Sequence, residues 1–278
     1  MDNQQPASLI QRTGLALAAA LRHGCSSEPL LANGRIRQMS DLLIDGVSDD
    51  QLPDSLDRTR LKSPQSPTAL AVNTFLPWQS VPGELPLNGV VGFDAIQFEA
   101  RCPTGLRGTP PHLDLLALRH DIAVAVTVRC TEYLTGRRSL MADSYDQLLV
   151  QTPGLEPWRQ QLQALRDGPE MFWYVDLGAL VKYALALART FPDRPAVLLY
   201  LFWEPLDADQ FDEFERHRQE LARLSEAVQA ARVRFVAQSF EALWRDWSAR
   251  PQPPWLPDHV TRLRARYGVT VAGGQIGG

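Results

Sequence analysis

Three polar side chains stand at strand spacing among apolar neighbours in the middle of this chain. Asp114 lies in HLDLLAL, residues 112–118, and Thr127 and Arg129 lie in IAVAVTVRCT, residues 122–131. Side chains alternate along a strand, so Thr127 and Arg129 share a face. A tight connection at Arg119–Asp121 that pairs Leu118 with Asp121 sets Asp114 opposite Ala125. Thr127 is then its diagonal neighbour, roughly 7–8 Å away. A slip of one residue would turn Asp114 to the other face. A carboxylate beside a guanidinium and a hydroxyl can hold a cation, orient water or grip a phosphate, which arginine pairs in bidentate fashion. Glu99 on the preceding strand is the nearest further acid, with Glu132, Asp143 and Asp146 after the third strand. Lys182, on a later helix, and Arg107 are further cations. Each has a plainer role as well. Asp114 is costly to bury alone and would be satisfied by a structural ion pair with Arg129. His112 and His120 suit hydrogen-bonded rim positions, and Cys130 suits core packing.

The elements that must position these residues follow from periodicity and turn chemistry. Phe93–Ala100 alternates as a strand, with Ala95, Gln97 and Glu99 on one face. RCPTGLRGTPP (101–111) is a loop, and His112–Leu118 and Ile122–Thr131 are the next two strands. Helices are expected over Leu9–Leu21, Ile36–Leu43 and the segment after Pro67 that stops at Pro77. Others are expected over Pro157–Arg166, Asp176–Thr190, Asp207–Ala231, Phe240–Trp247 and His259–Tyr267. Residues 47–67 read as a surface loop and 135–155 as irregular. Ala196–Trp203 is a buried strand and Val233–Ala237 a short one. Trp203, Trp244, Trp247 and Trp255 are expected as core and cover, Arg262 and Arg266 on a solvated face, and the diglycine tail as flexible. The fold class is α/β around a mixed sheet.

The runs FEARCPTGLRGTPPHLD, AVAVTVRCTEYL and DLGALVKYALALARTFPDRPAVLLYLFWEP resemble the PD-(D/E)XK, restriction-endonuclease-like proteins of bacteria, over roughly residues 65–248. The resemblance implies a restriction-endonuclease-like mixed β-sheet core over 64–250, an N-terminal helical extension over 1–63, and a C-terminal helix and tail over 251–278. It also implies a site in which an Asp on the second strand and a Glu-x-Lys on the third bind Mg²⁺ and activate water. Asp114 matches the first position. Thr127 stands where the acid belongs and Arg129 where the lysine belongs. Ala179 takes the place of a frequent helix glutamine, with Lys182 one turn on. A hydroxyl is a poor Mg²⁺ ligand, and a guanidinium does not replace an ammonium point charge. The implied protein is one with a degraded nuclease site, binding nucleic acid or a protein partner without cutting. An active Mg²⁺-dependent nuclease using Asp114 with Glu99 as a relocated metal ligand is the alternative, and a protein-interaction scaffold is the third.

Composition bounds these readings. There are 278 residues with a net charge of -4, so DNA binding must rest on a local basic patch rather than on an overall basic surface. Of 28 Lys and Arg residues only Lys62 and Lys182 are lysine, leaving 26 arginines. No GxSxG elbow or GxxxxGK loop occurs, which disfavours a serine hydrolase and a P-loop enzyme. No apolar run reaches the ~18 residues of a membrane span. Cys25, Cys102 and Cys130 form no CxxC pair, and a reducing cytoplasm is the expected compartment.

Overall fold

The computed structural model describes residues 8–107, 109–136, 139, 141–168, 171–250 and 253–272. Five strands form one mixed sheet in the order β1-β2-β3-β4-β5: β1 Ala95–Arg101, β2 His112–Arg119, β3 Ile122–Arg129, β4 Ala196–Phe202 and β5 Val233–Ser239. The first three are an antiparallel meander, and β4 and β5 run parallel to β3. β3 and β4 read as unbroken apolar runs because helices cover both faces of the sheet there.

On one face Val124, Val126, Val128, Val197, Leu199 and Leu201 pack under α2 (Pro67–Phe75), α7 (Phe240–Ser248) and α8 (Leu256–Tyr267). α1 (Leu9–Gly24) joins this side through Leu17 and Leu21. On the other face Ala123, Ala125, Leu198 and Tyr200 pack under α4 (Glu156–Asp167), α5 (Leu177–Thr190) and α6 (Asp212–Ala227). A further helix, α3, spans Ser144–Gln151. The parallel connections β3–α5–β4 and β4–α6–β5 each use a helical crossover, which a parallel pair needs.

Local chemistry explains the boundaries. Ser8 caps α1 in a reciprocal capping box with Gln11. Ser66 caps α2 with Pro67 as its first residue. Asp176 caps α5 by accepting from the Ala179 N–H at 3.0 Å.

Several sequence expectations are corrected. Ile36–Leu43 forms only a 3-10 turn over Met39–Leu42. Its backbone is claimed elsewhere, since the Ile36 N–H donates to the Lys62 carbonyl and Ile36 bridges to Leu30. Residues 135–155 are not wholly irregular, because α3 lies within them. The loop over 47–67 is pinned by buried Leu52, Leu56 and Leu61. The β2–β3 register pairs Leu118 with Ala123, not with Asp121. Arg266 is buried rather than solvated. Trp203, Trp244 and Trp247 are core, as expected. The diglycine tail lies outside the described residues.

Candidate functional site

The three meander strands part at one end, and the polar residues collect there. The β2–β3 ladder runs from Arg119↔Ile122 to Leu115↔Val126. The next rung sets Asp114 level with Thr127, closer than the diagonal expected from sequence. A two-residue shift keeps Asp114 in phase with the expected face, so the expected cluster forms in spite of the different register. At this rung the ladder gives way to a side chain: the Val128 N–H donates to Asp114 Oδ2 at 2.7 Å.

Glu99 stands level with Asp114 on β1, between the pairs Phe98↔Leu115 and Ala100↔Leu113. Its φ of 51° is in the left-handed region, which a glutamate rarely adopts. The alternation of β1 breaks at this point. Phe98 faces the α2 side, whereas Ala100 packs with the α5 side, and the Glu99 carboxylate is buried.

A residue that sequence reasoning does not find holds the two acids. Arg60 ends a 3-10 turn over Arg58–Arg60 whose N-cap Asp57 accepts from the Thr59 N–H at 3.0 Å. Its Nη1 donates to Glu99 Oε1 at 2.7 Å, and its Nη2 lies 3.9 Å from Asp114 Oδ1. Glu99 Oε2 is 3.2 Å from His112 Nδ1. One guanidinium thus bridges two buried carboxylates, with an imidazole at the outer end.

Arg129 completes the cluster. Its Nη1 donates to Thr127 Oγ1 and to the Val128 carbonyl, both at 2.9 Å. Its guanidinium lies 5.6 Å from the centre of the Tyr200 ring. Glu132 lies in the turn Glu132–Thr135 that follows β3. Its carboxylate accepts the N–H groups of Cys130 and Thr131 and sits 4.0 Å from Arg129 Nε. Behind Tyr200, His217 of α6 places Nε2 3.1 Å from the phenol oxygen and stacks on Tyr133.

Burial pushes the Asp114 carboxyl above the usual range, and Arg129, the Val128 N–H and Arg60 pull it back. Burial works against the Arg129 proton as well. The Tyr183 and Tyr200 oxygens and the carboxylates of Glu132 and Asp114 outweigh it, so the guanidinium stays charged. Burial, reinforced by Arg129 and Arg218, lowers His217 to about 3 and keeps the ring neutral.

Lys182 Nζ is 5.6 Å from the centre of the Tyr145 ring. Asp143 and Asp146 pair with Arg166. Arg107 is exposed in the β1–β2 loop and His120 at the β2–β3 turn.

The donor set does not fit the Mg²⁺ that the resemblance implies. Mg²⁺ requires oxygen ligands at about 2.0–2.1 Å in octahedral array. Both Glu99 oxygens are taken by Arg60 and His112, and Asp114 Oδ2 is taken by a backbone N–H. Thr127 Oγ1 already accepts from Arg129. The space between the carboxylates holds a guanidinium. Among the described residues no group of three or more His, Cys, Asp or Glu side chains is arranged to hold a metal. Arrays of charge closed on themselves can order backbone or present arginine to an anion, and this one has both elements. Comparison with protein families, with curated proteins and with solved structures gives no match.

Proposed function

We propose that this chain is a restriction-endonuclease-like protein of the PD-(D/E)XK kind that has lost phosphodiester hydrolysis and binds nucleic acid by its phosphate backbone. The antiparallel meander followed by two parallel strands supports the fold assignment, and Asp114 at the splayed end of β2 supports the placement of the old site. The observation that carries the loss of hydrolysis is Arg60. Its guanidinium supplies, from within the chain, the positive charge that Glu99 and Asp114 would otherwise draw from a metal ion.

The binding role rests on what surrounds that row. Arg58, Arg60, Lys62, Arg101 and Arg107 are all exposed on the loops and strand end beside it. Arg189 on α5 reaches the same β1–β2 loop, against Gly105. A patch of this kind suits a phosphate backbone despite the net negative charge of the whole chain.

The test is DNA cleavage with Mg²⁺ and with Mn²⁺, run beside Asp114→Ala, together with DNA binding across a salt series. No cleavage is expected, with binding that weakens steeply as salt rises. Replacing Arg101 and Arg107 by Ala should lower the salt slope by about one for each phosphate that no longer meets an arginine. Cleavage that Asp114→Ala abolishes would establish instead the active nuclease with Glu99 as the second metal ligand. A protein partner in place of DNA would show as a complex insensitive to salt.

A further inference from the structure

β5 is last in the strand order, with β4 as its one neighbour in the sheet. Alternate residues of a strand in a parallel pair bond to opposite sides. The Trp203 N–H donates to the Arg129 carbonyl, so the odd-numbered residues of β4 bond β3 and the even-numbered ones bond β5. Leu198 pairs with Phe235. The even-numbered residues of β5 therefore bond β4, and the odd-numbered ones turn their N–H and C=O groups off the sheet.

The first half of this edge is covered. The Val233 carbonyl accepts from Trp158 Nε1 of α4 at 2.9 Å, and the Phe235 carbonyl accepts from Ser225 Oγ of α6 at 3.2 Å. Ala237 follows, and neither of its outward backbone groups has a partner among the described residues. Val236, Ala237, Gln238 and Ser239 are all partly exposed. An open strand edge is a template for another strand, and proteins blunt it with charge, proline or a bulge. β5 has no proline, and its single charge is Arg234.

That charge has a complement on the same edge. Arg234, Val236 and Gln238 share the face under α7, where Val236 packs against the core. Arg234 is exposed and forms no ion pair among the described residues. Gln238 Nε2 donates to Asp246 Oδ2 of α7 at 2.6 Å, and Asp246 is likewise exposed and without a cationic partner among the described residues. A lone cation early on the strand and a lone anion beside its end match the same edge turned through a two-fold axis.

We propose that the chain forms a two-fold homodimer through this edge, with the two β5 strands antiparallel across Ala237 and the two sheets joined into one. At the axis each Ala237 N–H donates to the partner's Ala237 carbonyl. Val236 then stands opposite the partner's Gln238. Arg234 lies diagonal to that glutamine, about 7–8 Å away, which brings the guanidinium within reach of the partner's Asp246. The contact is made twice, as an isologous interface requires. A second copy fits better than a foreign strand because the edge itself supplies both halves of the ion pair. The charged row between β1 and β3 lies toward the other end of the strand order and takes no part, so the outcome does not bear on nucleic-acid binding.

Sedimentation equilibrium of the full chain over a wide range of concentration is expected to give twice the mass of one chain. Arg234→Asp sets acid against acid at both contacts and should weaken the dimer at least roughly 10-fold. Adding Asp246→Arg to that variant restores opposite charges and should recover most of the loss. Ala237→Pro deletes an N–H that only the partner uses, so the dimer should be lost while the monomer stays folded. If the proline variant fails to fold, the charge reversal and its rescue decide alone. A monomer at every concentration, a dimer that Arg234→Asp leaves unchanged, or a loss that Asp246→Arg does not recover would each overturn the proposal. An edge that takes up only a foreign strand would show as the first of these.

Discussion

Asp114 does for β2 and β3 what a ladder rung would do, because its carboxylate takes the Val128 N–H where the strands part. Asp114→Ala removes that acceptor and one of the two carboxylates that balance Arg60. The first loss leaves the buried Val128 N–H without a partner, and the expected cost is ~1–3 kcal/mol. The midpoint of urea unfolding checks this, with Asp114→Asn expected to cost less. A second consequence concerns pH. His217 at about 3 and His259 at about 4 are both depressed by burial from the ordinary 6.5. The unfolded chain therefore binds protons below pH 6.5 that the folded chain refuses. Stability from these two rings is complete above pH 6.5 and falls with acid, at up to ~1.4 kcal/mol per pH unit for each ring, until the folded values are passed. Glu204 works the other way. Burial raises it to about 6, so the fold binds its proton first and gains stability as pH drops from about 6 toward 4.5. Unfolding measured from pH 7 to pH 4 should show a net loss, and His217→Gln should flatten it.

Among the elements, one loop is organised by a single side chain. The Glu220 carboxylate of α6 accepts the N–H groups of Trp173, Tyr174 and Val175 at 2.8, 2.9 and 2.9 Å. These residues lead into α5, so Glu220 sets where that helix begins. Glu220→Ala should cost ~2–4 kcal/mol, from three orphaned donors partly recovered by water. Hydrogen exchange at those three amides should speed up more than exchange in β3. How far such arrangements are legible in the sequence depends on the range of the interaction. β3 and β4 are legible because a strand buried on both faces is apolar throughout. α5 is legible because Asp176 announces its start. Ile36, Met39 and Leu43 carry helical spacing, yet contacts with Leu30 and Lys62 override it. α3 escapes detection because it buries only Leu149, which leaves no apolar stripe. Arg60 is invisible as a site residue: it lies 39 positions from Glu99 in a polar loop, and no local pattern marks such a partner. Arg266 misleads because the alternating arginines of α8 look like a charged face.

Across the whole molecule, the N-terminal and C-terminal segments belong to one core with the sheet. Asn73 of α2 ties three segments together: its side chain accepts from the Ile44 N–H at 3.1 Å and donates to the Leu42 carbonyl and to the Tyr267 hydroxyl, both at 2.8 Å. Arg12 of α1 donates to the Val271 carbonyl at 3.0 Å, and Asp207 accepts the Val271 and Ala272 N–H groups. The full chain should therefore melt in a single transition, and removal of residues 1–63 should abolish cooperative unfolding rather than leave a stable 64–250 core. Calorimetry on both chains checks this. Asn73→Ala should lower the melting temperature by several degrees, since ~2 kcal/mol is a sizeable part of a domain's stability.

The bond between Arg12 and Val271 joins residues 259 positions apart, and it bears on how the protein is born. α1 leaves the ribosome before the sheet, while α8, the helix that covers Leu17 and Leu21, leaves after it. At 5–20 residues per second the interval is on the order of 10–50 s. Throughout that time Leu17 and Leu21 lack the cover of α8, while the β1–β3 meander, built from near neighbours in sequence, is free to form. Translation speed and chaperone capture of nascent α1 are thus expected to govern the yield of folded protein more than any property of the finished sheet.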